Sequence, residues 1–109
     1  MFYVALDANC YYMPDSVEYS RVCAEQMQPY IERLRKNGIG YQINFQNLIG
    51  ATGNGEDFKQ KFEWEFMVDQ NGVEVPVACP IGEKFREQSE KRLKIWAETN
   101  PDVIWIDDD

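Results

Sequence analysis

The side chains able to do chemistry in this chain are mostly acids and amides, and they gather where apolar runs end. Asp107, Asp108 and Asp109 follow Val103-Ile104-Trp105-Ile106, and Asp7 and Asn9 follow the run from Phe2 to Leu6. Asn44, Gln46 and Asn47 stand in and after the run from Ile39 to Phe45, and Cys79 follows Val73 to Ala78. Paired carboxylates act as acid, base or nucleophile on a glycosidic bond. Amides hydrogen-bond hydroxyls, and rings such as Tyr11, Tyr12 and Trp64 can stack on a sugar face. The candidate catalytic residues are therefore Asp107, Asp108 and Asp109. The candidate substrate-binding residues are Asp7, Asn44, Gln46, Asn47, Trp64 and Cys79, with carbohydrate as the expected ligand.

Other chemistries are narrowed by what is missing. The chain has no histidine, which removes Ser-His-Asp and Cys-His nucleophile pairs and His-ligated zinc. Cys79 beside Pro80 lacks a base or a basic cluster to activate it, so a structural thiol is its plainer reading. Hard oxygen ligands at 107–109 suit Mg or Ca, yet the run lacks the spacing and glycine of an EF-hand loop. Gly50, Gly53 and Gly55 punctuate a loop, but no Lys-Ser/Thr follows and no Gly-x-Gly-x-x-Gly opens a helix. No metal and no cofactor is expected. A solvated acidic tail is the plainer alternative for 107–109.

Hydrophobic periodicity supplies the elements that must position these groups. Phe2 to Leu6 reads as a buried strand. Pro14-Asp15-Ser16 opens a helix that Asp15 can cap, with Glu18 completing a capping box. Tyr19, Val22, Cys23, Met27, Tyr30, Ile31 and Leu34 define its apolar face. Pro29 is expected to kink or split it, and Asn37-Gly38 to stop it in a left-handed conformation. Ile39 to Phe45 alternates as a second strand, completing a βαβ unit with parallel strands. Phe62 to Val68 and Val73 to Ala78 flank Asp69-Gln70-Asn71-Gly72, a hairpin signal. A second helix spans about Gly82 to Thr99, with Phe85, Ser89, Arg92, Leu93 and Trp96 along one side, and Asn100-Pro101 ends it. The run Val103 to Ile106 predicts a strand buried on both faces. Strand alternation puts Asp107 and Asp109 on the face of Trp105 and Asp108 on that of Ile104 and Ile106. Which face looks inward stays open at this level.

Composition agrees with one packed domain spanning 1–109. Of its residues 44% are apolar and 14% aromatic, outside the disordered class. With 19 acidic against 11 basic side chains the formal charge is −8, which argues against a nucleic-acid surface. No run is long enough to span a membrane. Cys10, Cys23 and Cys79 show no CxxC spacing, and the N-terminus has no basic region preceding an apolar core, so a cytoplasmic location is expected.

The residues carry one family resemblance. Cys79-Pro80, a helix with Phe85-Arg86-Glu87, and then Pro101-Asp102-Val103-Ile104-Trp105-Ile106-Asp107 resemble part of the TIM-barrel glycoside hydrolases. There a Cys-Pro after one strand precedes a helix, and the next strand has the form Pro-Asp-x-Ile-x-x-Asp. The stretch Gly38 to Asn47 is similar to the family's glycine and polar-ended strand, and Asp69 to Gly72 to its hairpin. The resemblance implies an α/β fold, a partial (half) β/α-barrel with about four parallel strands, two main helices and a β-hairpin. It implies a catalytic or sugar-contacting acid at Asp107 or a neighbour. A whole barrel needs eight strands and roughly 250 residues, so the expected function is that of a fragment of a glycoside hydrolase, inactive alone. Such a fragment exposes sheet edges and is expected to self-associate. The alternative is a ferredoxin-like α+β sandwich serving as a binding or interaction domain without catalysis. Antiparallel neighbours beside Ile104 would mark that arrangement.

Overall fold

Alternating apolar residues build the sheet, and helical spacing builds the layer that covers it. A computed structural model describes residues 3–7, 16–46, 59 and 62–107. They form a small α/β protein with strands β1 (Tyr3–Asp7), β2 (Gly40–Gln46), β3 (Phe66–Val68), β4 (Glu74–Ala78) and β5 (Val103–Asp107). Helices α1 (Ser16–Lys36) and α2 (Glu83–Glu98) complete it. Strands β1, β2 and β5 make a parallel sheet in that order, while β3 and β4 pair antiparallel in a separate two-stranded sheet. The parallel strands among the described residues are thus three, because the strand ending at Ala78 belongs to the hairpin.

Both helices lie on the same face of the parallel sheet. Ile31 and Ala24 of α1, Tyr41 and Ile43 of β2 and Trp96 of α2 form one buried cluster. Cys23, Met27, Leu34, Leu93 and Ile104 pack against it. Tyr41, Ile43 and Ile104 alternate with Gln42, Asn44 and Trp105, so the second set lies on the opposite face. No described element covers that second face. Sequential strand order with one-sided helices is a single winding, unlike the doubly wound folds that carry helices on both faces. The ferredoxin-like alternative is not what forms, since β5 pairs parallel with β2.

Several local expectations are changed by context. Helix α1 runs unbroken through Pro29. Pro29 and Glu25 are exposed, so water can serve the carbonyl that loses its N–H partner. Tyr19, Val22 and Tyr30, expected on the apolar face of α1, are also exposed. The helix ends at Gly38 (φ 69°), with Ile39 N donating to Leu34 O and Gly38 N to Arg35 O, both at 3.0 Å. These two bonds make a Schellman stop. Asn100 (φ 58°) is the left-handed residue after α2, its N–H donating to the Ala97 carbonyl at 2.9 Å, and Pro101 behind it has no N–H for a second such bond. In the hairpin, Gly72 N donates to Asp69 O at 3.0 Å. Gly72 (φ 78°) has positive φ while Asn71 does not, so the turn is type I followed by a bulge and not the mirror-image turn. Among the described residues β5 is an edge strand covered on one face only, which leaves Val103 and Trp105 exposed on the other, and Ile106, at its carboxyl end, is exposed as well.

The hairpin belongs to the connection that leaves the carboxyl end of β2. It docks on the first turn of α2 through Phe62, Trp64 and Ala78 against Phe85. Gly82 caps that helix and is buried, and a Cβ there would meet Glu65 Cβ at 3.0 Å and the Cys79 carbonyl at 3.1 Å. Cys79 N donates to Glu65 O and Gly82 N to Cys79 O, each at 2.9 Å, which joins hairpin and helix.

Candidate functional site

Strand register assembles the candidate residues in rows across the face that no described element covers. Ala5 pairs with Gln42 and Gln42 with Val103. One step toward the carboxyl ends, Asp7 pairs with Asn44 and Asn44 with Trp105. The next row pairs Gln46 with Asp107. Of the sequence candidates, Asp7, Asn44, Gln46 and Asp107 therefore occupy positions on one face, at the carboxyl ends of three parallel strands. Ligands of parallel α/β folds bind at these ends. Because the helices cover the face of Ile104, position 107 belongs to the uncovered face, the choice that alternation alone left open. Asp108, Asp109 and Asn47 lie outside the described residues, as do Tyr11 and Tyr12.

Two candidates are placed elsewhere. Trp64 is only 8% exposed, stacked on Phe62 (centroids 4.4 Å apart, planes at 19°) and edge-on to Phe85 at 5.5 Å. It holds the hairpin to α2. Cys79 is a half-buried free thiol after β4, where the chain returns along the antiparallel hairpin and not out of the parallel sheet. Neither is brought into the rows by strand pairing.

Two features of the rows matter for binding. Trp105 is 57% exposed, whereas the other two tryptophans are buried. Beside it, Asn44 Oδ1 is buried and has no hydrogen-bond partner. A stranded acceptor costs roughly 1–3 kcal/mol, and native proteins tolerate few of them. The rows contain no lysine or arginine, so acids and amides set their polarity. Strand spacing separates positions 7 and 107 by about 12 Å, with β2 between them. No group of three or more potential metal ligands clusters among the described residues.

The opposite end of the sheet is built for stability. Tyr41, fully buried, donates its hydroxyl hydrogen to the Thr99 carbonyl and lies 2.8 Å from Thr99 Oγ1. Arg35 Nη2 donates to the same carbonyl at 2.9 Å and to the Asn100 carbonyl, with the guanidinium carbon 5.3 Å from the Tyr41 ring centroid. Asp102 Oδ2 accepts from Tyr41 N at 3.0 Å, and Asp102 N donates to Tyr41 O at 3.0 Å. This clamp joins the end of α1, the start of β2, the end of α2 and the start of β5. No local pattern in the sequence announces the clamp, whose members are 58 to 65 residues apart in the chain. Trp105 was missed by sequence reasoning. Its alternation with Asp107 was visible, but the apolar run around it reads as buried.

Comparison of the chain with family models, with curated proteins and with solved structures finds no match. No helix among the described residues is long and apolar enough to cross a membrane.

Proposed function

We propose that this chain supplies three consecutive strands of a β/α-barrel glycoside hydrolase and contributes the carbohydrate-facing end of each. The observation that carries the reading is the single winding. Three sequential parallel strands keep both helices on one face, and no described element covers the other, with Asp7, Asn44, Gln46 and Asp107 at positions in adjacent rows at their carboxyl ends. A barrel has this arrangement, its helices outside and its polar strand ends forming the site. Grooves at both flanks of the helix layer fit the same reading. Val4, Met27, Tyr30 and Leu34 line one of about 700 Å³ beside β1. Phe85, Leu93, Ala97 and Ile104 line another of about 810 Å³ beside β5. In a barrel the neighbouring units pack there.

The spacing of the acids bears on activity. A glycosidase works with a pair of carboxyl groups at the ends of different barrel strands, and the parallel strands among the described residues are three of the eight a barrel needs. The second catalytic acid is then expected from another segment, and the chain by itself is expected to bind without hydrolysing. Strands β1 and β5 are edges among the described residues, so a second copy pairing edge to edge is the expected self-association.

The test is a titration of the 109-residue chain with neutral oligosaccharides, followed by amide NMR and paired with an aryl-glycoside hydrolysis assay. Expected are shifts at Asp7, Asn44, Trp105 and Asp107, weakened in Asp107→Asn, without turnover. Shifts confined to the hairpin, or none at all, would overturn the reading. Light scattering after size-exclusion chromatography checks the self-association, and a strict monomer counts against it.

A further inference from the structure

We propose that Asn71, at the tip of the β3–β4 hairpin, is a site where the folded chain converts spontaneously to an isoaspartyl linkage, while Asn37, in the same Asn-Gly context, is held back by the helix stop it belongs to. This modification site stands apart from the carbohydrate reading and does not depend on it.

The chemistry needs only water and its hydroxide. The backbone nitrogen of the residue after an asparagine gives up its proton to base and attacks the side-chain Cγ. A C–N bond forms, the bond from Cγ to the amide nitrogen breaks, and that nitrogen takes a proton from solvent and leaves as ammonia. The product is a five-membered succinimide. Water then opens either carbonyl of the ring, giving aspartate or, where the backbone is rerouted through the side chain, isoaspartate. A following glycine favours the attack because no Cβ crowds its nitrogen. The chain has three such pairs, Asn37-Gly38, Asn54-Gly55 and Asn71-Gly72, and Asn54-Gly55 lies outside the described residues.

The fold treats the two described pairs differently. A glycine nitrogen that is donating a hydrogen bond must be released before it can reach Cγ. The rate in the folded chain is then the open population multiplied by the rate of the open form. At Asn37 that release undoes a helix end. Gly38 N donates to Arg35 O and Ile39 N to Leu34 O, both at 3.0 Å, and Asn37 Nδ2 donates to Arg33 O at 2.8 Å. Arg35 is tied in turn to the Thr99 and Asn100 carbonyls, and Ile39 leads directly into β2. Opening here disturbs the core that α1 and β2 share.

At Asn71 the bonds are local. Gly72 N donates to Asp69 O at 3.0 Å, and Asp69 Oδ1 accepts from Asn71 N at 2.8 Å and from Val73 N at 2.9 Å. The same carboxylate takes the Asn71 side-chain amide. Residues 69–73 are all exposed, and a Cβ at Gly72 would meet nothing within 4 Å. The contacts that hold the hairpin to α2, Phe62, Trp64 and Ala78 against Phe85, lie at its other end. The tip therefore opens without disturbing either core, with Asp69 as its clasp.

The experiment incubates the wild-type chain at mildly alkaline pH, folded and in parallel unfolded in guanidinium chloride. Timed samples are quenched in acid, digested briefly with trypsin and read by electron-transfer fragmentation, which separates isoaspartate from aspartate at each site. In the folded chain Asn71 should convert at least about tenfold faster than Asn37, since opening free energies run from near zero at exposed turns up to the global value. In guanidinium the two rates should come together, because both pairs are Asn-Gly. Isoaspartate should accompany aspartate at Asn71, and Asp69→Ala should speed conversion there severalfold while leaving Asn37 unchanged. Equal rates in the folded chain, or a gap that persists after unfolding, overturns the inference. Aspartate alone at Asn71 overturns the succinimide route, and an unchanged rate in Asp69→Ala overturns the clasp. Because the two sites are compared within the wild-type chain, the result stands even if Asp69→Ala fails to fold.

Discussion

Replacing Tyr41 with phenylalanine removes one oxygen from the clamp at the amino-terminal end of the sheet, and the structure sets what that costs. The ring keeps its place, fully buried beneath Arg35. No partner is stranded, because the Thr99 carbonyl still accepts from Arg35 Nη2 at 2.9 Å and Thr99 Oγ1 still donates to the Trp96 carbonyl at 2.6 Å. The loss is then that of one net hydrogen bond, about 1 kcal/mol, and not the larger penalty of an orphaned buried group. For a domain near this size that lowers the melting temperature by about 4–8 °C. Arg35→Met on its own is covered in the same way, since Tyr41 continues to serve the carbonyl. Making both changes strands Thr99 O in a buried position, so the double variant should lose about 1 kcal/mol more than the sum of the single losses. Urea unfolding of the four proteins measures the coupling. Neutral-sugar affinity should be unchanged in all four. The clamp sits at the start of β2, about 10 Å or more along the strand from Asn44. Strict additivity of the two losses, or a fall in affinity at constant stability, would refute the separation of a stabilising end from a binding end.

Two further outcomes follow from local geometry. Gly38→Ala should destabilise the chain by about 1–2 kcal/mol through left-handed strain alone, because a Cβ at φ 69° meets nothing within 4 Å. Gly38→Asn should cost less, and urea midpoints compare the two. In the hairpin, Asp69 Oδ1 accepts from Asn71 N at 2.8 Å and Val73 N at 2.9 Å. The Val73 and Asn71 bonds hold its carboxyl below the ordinary aspartate value. A lowered folded-state value means stability that is present above the unfolded pKa of about 3.9 and lost as pH falls through the folded one. Protection of the Asn71 and Val73 amides against hydrogen exchange, relative to the intrinsic rate at each pH, should fall over that acidic interval, and Asp69→Asn should abolish the pH dependence while keeping the turn.

Local rules carried far in this chain. The Schellman stop at Gly38, the hairpin between Met67 and Glu74 and the second helix from Gly82 to Thr99 all follow from turn chemistry and spacing that the residues state themselves. So does the alternation of Tyr41 and Ile43 against Gln42 and Asn44. Each depends on neighbours within a few positions, where backbone sterics and hydrogen bonding dominate. Pro29 fails this logic because solvent around α1 absorbs the lost hydrogen bond.

Long-range pairing decided the rest. The hairpin was legible from its turn, but that its second strand stays out of the parallel sheet, with Cys79 at its end and Trp64 in a small core against α2, depends on its pairing with β3 and docking on that helix. The apolar run of β5 reads as buried on both faces. Helices packed on the side of Ile104 leave Trp105 exposed, and with it put position 107 on the face that no described element covers. The acids, amides and aromatic rings, and hence the kind of chemistry, belong to the sequence. Which of them share a surface depends on strand order, register and the side on which the helices pack. Those are contacts between residues tens of positions apart, settled by burying Tyr41, Ile43, Ile31 and Trp96 together.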